Sequence, residues 1–257
     1  MPMTDVKNQD RPPCHMSEAE WRARCDLAGL YRICDFYDWT DSVNTHLSAR
    51  VPGEPDCFLI NNYGELFNEI TASSLVKVDL HGNILSKGDS FNPAGFTIHG
   101  GVYKARRDVN CVMHTHTRPG TGISFLKKGL RPISQDVLEG YDELAYHEYD
   151  QPTEEAEGEA LGVSCQEGNA IILRNHGLLT VGSNVANAFY RMYMLNRACE
   201  IEIIARGLGE EPTPIAPEVV AEFGRRIQRS RATPTFGMKE WLAATRQIEG
   251  RGTDWRN

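Results

Sequence analysis

The sequence predicts an α/β protein in which helices flank a mixed or antiparallel sheet. Three observations predict it. Short apolar or alternating runs recur along the chain, such as Cys57-Phe58-Leu59-Ile60 and Leu75-Val76-Lys77-Val78-Asp79-Leu80. Some of these runs are joined by tight turn signals, as at His81-Gly82-Asn83. Longer segments with helical periodicity fall irregularly between them, which does not match a strict strand–helix–strand repeat.

The elements follow in order. Residues 1–16 read as a flexible leader. Ser17-Glu18-Ala19-Glu20 is a capping box, with a hydroxyl at the N-cap and a glutamate at N3. The helix it opens places Trp21, Cys25, Ala28, Tyr31 and Cys34 on one face and is expected to end near Asp38. The polar segment Asn44 to Arg50 enters a strand, Cys57 to Ile60 is the next, and Asn61-Asn62-Tyr63-Gly64 is a turn. Leu75 to Leu80 alternates as a strand should, and His81 in the turn beyond it reads as solvated. Asn92-Pro93-Ala94 starts a helix with proline in its first turn. That helix carries Phe96, His99, Gly100 and Tyr103 along one side, and His99 there reads as a hydrogen-bonded packing residue.

A short helix is expected from Thr121 to Lys128, stopped by Gly129. Arg131 to Gln135 leads into a polar loop, and Glu143 to His147 into a strand. Thr153 is positioned to cap a helix whose acidic first turn suits a helix N-terminus. The apolar run Asn169 to Leu173 is another strand. The longest helix begins after Gly182-Ser183 and runs to about Arg206, with Val185, Phe189, Met192, Cys199 and Ile203 along one side and Gly207 and Gly209 as its stop. Glu210 to Pro217 is a proline-rich linker, followed by helices over 218–230 and 239–248.

With 257 residues, 40% of them hydrophobic, the chain can build one main domain with a sizeable core. A net charge of −8 argues against general binding to a nucleic-acid backbone. No apolar run approaches the roughly 18 residues of a spanning helix, and Met1 to Pro13 lacks the apolar stretch of a secretory signal. Seven scattered cysteines without a Cys-x-x-Cys pair fit reduced thiols in a cytoplasm, with Cys111 and Cys165 as buried packing residues. The expected protein is soluble and cytoplasmic, with neither nucleic-acid nor membrane partners.

Two stretches carry chemistry. Val109 to Thr117 reads as a buried strand ending in His114-Thr115-His116. Side chains at i and i+2 of a strand point the same way, so the two imidazoles can share a ligand. Asn169 to Gly177 is a second apolar strand ending in Asn175-His176-Gly177. Three histidines from two strand ends would make an open facial metal site with room for substrate. On spacing alone, hydrogen-bonded core histidines explain the pattern equally well.

Taken together, several stretches resemble the class II aldolase/adducin family: Glu69 to Val76, Asn92-Pro93-Ala94-Gly95-Phe96, Val112 to Thr117, and Leu173-Arg174-Asn175-His176-Gly177. Their order and distances fit as well, and the likeness runs from about Ser17 to Gly207. The resemblance implies a three-layer α/β/α fold with a central, mostly antiparallel sheet. It implies one divalent metal ion per subunit (Mn, Mg, Zn or Co) on His114, His116 and His176. It also implies a homotetramer or higher homo-oligomer whose active site a neighbour completes. The family's domain would span residues 17–209, and 210–257 would be a linker and helical extension at an oligomer interface.

The departures narrow the function. The family's sugar-phosphate aldolases carry Ser-Ser-Glu at the start of the helix before His-x-His, and Pro93-Ala94-Gly95 stands there in this chain. The phosphate-binding serines and the proton-transferring glutamate of those relatives are thus missing. Gln135 occupies the position of their acid tyrosine, and His46 that of an asparagine on their phosphate side. The chain therefore resembles the adducin-like branch. What this implies is a lyase that makes or breaks aldol products of a small non-phosphorylated 2-oxo acid or hydroxyketone, such as pyruvate, with an aldehyde as partner. Decarboxylation of a hydroxylated aromatic or β-keto acid is the alternative, and a non-catalytic adducin-head-like module is a third reading. Beyond the metal ligands, His46 and Gln135 are the candidate catalytic residues, and Asn61, Gly64 and Tyr141 the candidate substrate-binding ones. As polar loop positions His46, Gln135 and Tyr141 could equally face water. Arg174, next to the third histidine, could be structural.

Overall fold

The computed structural model describes residues 16–86, 90–148, 155–252 and 254–257. One seven-stranded sheet runs through it, built from β1 (His46–Val51), β2 (Glu54–Ile60), β3 (Val76–Asp79), β4 (Cys111–Thr115), β5 (Leu144–His147), β6 (Ala170–Leu173) and β7 (Gly177–Gly182). The strand order is β3-β2-β1-β4-β7-β6-β5. Only β5 and β6 pair in parallel, and every other pair is antiparallel.

Two apolar layers sandwich this sheet. In β4, Cys111 and Met113 join the core beneath α1 (Glu18–Phe36), α3 (Arg118–Ser124), α4 (Gln135–Leu138), α6 (Val185–Gly207) and α8 (Met238–Glu249). Val112 points the other way, into the core under α2 (Pro93–Ala105) and α5 (Glu155–Glu167). A strand covered on both faces reads as a continuous apolar run, as β4, β6 and β7 do. The architecture is therefore the three-layer α/β/α sandwich expected.

Local chemistry starts the helices. The Ser17 hydroxyl accepts from the Glu20 amide at 3.1 Å, and the Asn92 side chain accepts from Ala94 at 3.0 Å. The helix α1 stops at Phe36, two residues before the expected end, and Asp38 beyond it has φ 58°. Three elements depart further from the reading of the sequence. The short helix after His116 starts at Arg118 and not Thr121, because Thr117 caps it through a bond from Gly120 at 3.1 Å. Ser134 caps the single-turn helix α4 where a loop was expected. The strand β7 was not expected, and it returns directly from the second histidine stretch. Ile203 is 42% exposed and so lies off the buried side of α6. Residues 1–15 of the leader and the Thr153 cap lie outside the described residues.

The C-terminal segment folds back onto the domain. After α7 (Pro217–Arg231), α8 buries Trp241, Ala244 and Ile248, and Trp255 is buried with them in the core shared with α1 and α6. The Ala72 and Ser73 amides donate to the carbonyls of Trp255 and Asn257 at 2.7 and 2.8 Å. On the other face, α2 and α5 cross backbone to backbone: a Cβ at Gly101 would overlap the Gly158 carbonyl, and one at Gly158 would lie 2.8 Å from the Thr97 carbonyl oxygen. Among the described residues, no helix is long and apolar enough to cross a membrane.

Candidate metal centre and active site

One end of the sheet carries the histidines. In the antiparallel pair of β1 and β4, His46 lies directly opposite His114. Both belong to the face that looks toward α2, because Ser48 and Val112, two residues along each strand, pair on that face as well. His116 follows just beyond the end of β4. The third histidine comes from the turn between β6 and β7, where Leu173 pairs with Gly177. Within that turn the His176 amide donates to the Leu173 carbonyl at 3.1 Å, and Asn175 adopts the left-handed region at φ 56°. Arg174 pins the turn from outside: its guanidinium donates to the Leu126 carbonyl at 2.7 Å and stacks 4.1 Å above the Tyr146 ring.

The rings of His114, His116 and His176 stand with centroids 4.7–4.8 Å apart. One nitrogen from each lies within 4.8 Å of the others. For His114 and His116, hydrogen bonds fix which nitrogen that is. The Nδ1 of His114 lies 3.0 Å from the Leu178 carbonyl, which can only accept, so the proton sits on Nδ1. The Nδ1 of His116 lies 2.8 Å from the Asp41 carboxylate and donates to it in the same way. Both Nε2 lone pairs then face inward, 3.0 Å apart. Two facing lone pairs repel each other, and a cation held between them would relieve that repulsion. Nitrogens about 2.0–2.1 Å from a common divalent ion lie roughly 2.8–3.4 Å apart for bond angles between octahedral and tetrahedral. The residues present therefore fit a divalent ion, with the carbonyl and carboxylate behind the rings as the outer partners that metal-bound imidazoles usually have.

Electrostatics keep the site ready for a cation. Burial first, then the neighbouring imidazoles His46, His116 and His176, holds His114 well below the usual histidine range. Burial also lowers His176 to about 4, with His116 and His147 adding to it. Neutral imidazoles present lone pairs at neutral pH.

His46 stands beside this cluster, its ring centroid 5.0 Å from that of His114. It is buried, and burial together with the His99, His116 and His176 rings holds it well below its ordinary value. Gly95 backs onto it: a Cβ there would come within 2.7 Å of the His46 ring. The imidazole thus occupies the space into which a side chain at position 95 would project.

The other expected residues are spread more widely. Asn61 follows β2 at the same sheet end as the histidines, but its side chain is buried, 2.8 Å from the Tyr31 hydroxyl. Gly64 lies in the next turn with φ 99° and open space around it. Gln135 is exposed on the first residue of α4. Tyr141 precedes the N-terminal end of β5, whereas the histidines lie at the end marked by the pair His147–Leu173, so within one chain it sits at the far end of the sheet. The sequence reading missed Asp41, a loop carboxylate with no spacing signal, and the Ser48–His99–Tyr103 cluster behind His46. It also missed a buried contact of His147 with Glu157 at 2.8 Å.

Comparison with known proteins agrees with this geometry. The pattern of the Class II Aldolase and Adducin N-terminal domain matches residues 25–203. A Caulobacter vibrioides protein named for its likeness to class 2 aldolases is 42% identical over 236 residues, 91% of each chain. Rattus norvegicus alpha-adducin is 40% identical over 210 residues, 79% of this chain but 28% of its own length. The crystal structure of an aldolase II superfamily protein from Pseudomonas syringae superposes with a TM-score of 0.88 at 41% identity, covering 94% of this chain and 98% of that one. On these grounds the chain belongs to the class II aldolase and adducin family.

Proposed function

We propose that this chain is a divalent-metal-dependent carbon–carbon lyase acting on a small, non-phosphorylated 2-oxo acid or hydroxyketone, of which pyruvate is the simplest. The observation that carries the reading is the convergence of the His114, His116 and His176 imidazoles beside His46, against whose ring Gly95 packs without a side chain. His114, His116 and His176 would hold a divalent ion, which would supply Lewis-acid stabilisation of negative charge on a substrate oxygen, with solvent as the acceptor of the substrate proton. Asp41 and the Leu178 carbonyl orient two of the three ligand rings. His46 is the side chain placed to hold a proton at Nε2 beside a bound substrate. Pro93-Ala94-Gly95 offers no hydroxyl at the start of α2 to bind a phosphate, which favours a substrate without one. Asn61 and Gly64, at the sheet end shared with the histidines, are proposed to bind the substrate's far side. Gln135 and Tyr141 are proposed to act from a neighbouring subunit, since Tyr141 lies at the opposite end of its own sheet. The working state is a homo-oligomer in the cytoplasm.

The test is exchange of the methyl protons of pyruvate with deuterated solvent, in the presence of Mn²⁺ or Mg²⁺ and without an aldehyde. Exchange above the rate with free metal, lost in His114→Ala, supports the reading. No exchange, together with CO₂ release from a hydroxylated aromatic acid, replaces it with decarboxylation.

A further inference from the structure

Alternate residues of β1 meet every fourth residue of α2. His46, Ser48 and Arg50 project from one face of the strand, and Gly95, His99 and Tyr103 come down from the helix. Two strand residues advance about 6.6 Å and four helix residues about 6 Å, so the two rows stay in step. At the far end, Arg50 donates to the carbonyls of Tyr103 and Arg106 at the C-terminus of α2, at 3.2 and 3.1 Å, and stacks 4.5 Å from the Tyr103 ring. Between these anchors runs a buried chain of hydrogen bonds. The Tyr103 hydroxyl lies 2.9 Å from Ser48 Oγ. Ser48 Oγ in turn touches His99 Nδ1. His99 Nε2 lies 2.8 Å from His46 Nδ1. All four side chains are at most 2% exposed.

The direction of this chain decides which proton His46 carries. Among the described residues, Ser48 is the hydrogen-bond partner of the Tyr103 hydroxyl. A phenol has one proton to give, and burying it without an acceptor is the costly case. Tyr103 therefore donates to Ser48, Ser48 donates to His99 Nδ1, and His99 donates from Nε2 to His46 Nδ1. His46 accepts at Nδ1 and must hold its own proton on Nε2. The reverse polarity would leave a hydroxyl proton buried without an acceptor among these partners: that of Tyr103 if Ser48 donates to it, or that of Ser48 if its oxygen accepts from both Tyr103 and His99.

We propose that Tyr103, Ser48 and His99 fix His46 as the Nε2–H tautomer, so that it meets the substrate as a neutral hydrogen-bond donor and not as a proton-abstracting base. This rests on the lyase reading only for the identity of the substrate oxygen it faces. A neutral imidazole donor polarises a carbonyl or stabilises an enolate oxygen without bringing a second positive charge beside the metal ligands. Tyr103, Ser48 and His99 are positioning residues, and His46 is the residue that touches substrate.

The experiment is ¹⁵N NMR of the histidine side chains, on the metal-free protein and on protein loaded with Mg²⁺. His46 is assigned by comparison with His46→Gln. The expected result is a protonated, pyrrole-type Nε2 and a bare, pyridine-type Nδ1 in both states. In Tyr103→Phe the tautomeric preference collapses to a mixture, and kcat for pyruvate exchange falls about tenfold with KM little changed. A ring protonated at Nδ1 in the wild-type protein overturns the proposal, as does an unchanged tautomer in Tyr103→Phe. The expected tautomer in a protein that exchanges no pyruvate protons sinks the lyase reading alone.

Discussion

The Nε2 atoms of His114 and His116 face each other at 3.0 Å, each ring being turned by an acceptor behind it. This arrangement could hold a cation, and it leads to the first prediction. Alanine at His114, His116 or His176 should remove tight binding of one divalent ion per subunit while the circular dichroism spectrum persists. Elemental analysis of protein purified without metal-affinity steps reads the stoichiometry. Unchanged metal content in all three variants would sink the assignment.

Asp41 has a subtler role. Asp41→Asn keeps the shape but weakens the acceptor behind His116, and should lower metal affinity by about 10–100-fold. Competition with a chelator of known affinity measures it. An affinity equal to wild type would mean that the Asp41–His116 contact at 2.8 Å is incidental to binding.

The contact between Gly95 and His46 predicts a coupled pair. Gly95→Ala forces a methyl against the ring and should cost about 1–3 kcal/mol, the usual range for overpacking. In the double variant with His46→Ala the cost of the methyl should largely vanish, leaving a coupling energy on the order of 1 kcal/mol or more. Urea unfolding of the four proteins yields it, and strict additivity would show that the ring is free to move aside.

Acid should destabilise the metal-free chain earlier than an ordinary surface would. Burial lowers His99 to about 3, and burial with nearby histidines lowers His176 to about 4, whereas both titrate near 6.5 when unfolded. Between these limits the unfolded chain binds more protons than the folded one, so stability is complete above about pH 6.5 and is lost as the pH falls toward 4. Melting temperatures in a chelator from pH 7.5 to 5 test this, and a flat profile would contradict neutral buried rings.

Assembly is the last prediction. Ile204 and Leu208 near the end of α6 are 62% and 75% exposed, and Phe125 at the end of α3 is 57% exposed. Such large apolar side chains suit a contact between subunits. Light scattering should return a multiple of the 28.8 kDa protomer, four being expected, and Leu208→Asp should shift it toward smaller species. A fully active monomer would exclude a site completed by a neighbour.

Much of this was legible in the chain. Capping side chains at Ser17 and Asn92 and the alternation of Val76 to Asp79 act locally, so their elements emerge from short windows. The candidate metal ligands could be paired from sequence because a strand's two-residue period links His114 to His116 without tertiary information. The strand β7 did not: its six residues are buried on both faces, so no alternation marks them, and Asn175 rather than a glycine takes the left-handed position of the preceding turn. Asp41 reaches His116 across 75 residues, and His99 reaches His46 across 53. Such pairings depend on the register between separate elements, which no single stretch encodes. His99 was rightly read as a hydrogen-bonded packing residue, but its partner could not be named.

The crossing of α2 and α5 gives those distant pairings their precision. Gly158 bears no side chain and stands on a helix that supplies none of the site's imidazoles, yet its backbone touches that of α2 between the two turns that hold His99 and Tyr103. Any larger residue there would act as a jack, lifting α2 off the sheet and drawing His99 away from His46. Positions 101 and 158 should therefore be as intolerant in a deep mutational scan as His114, His116 and His176 themselves, though neither projects a side chain into the histidine cluster.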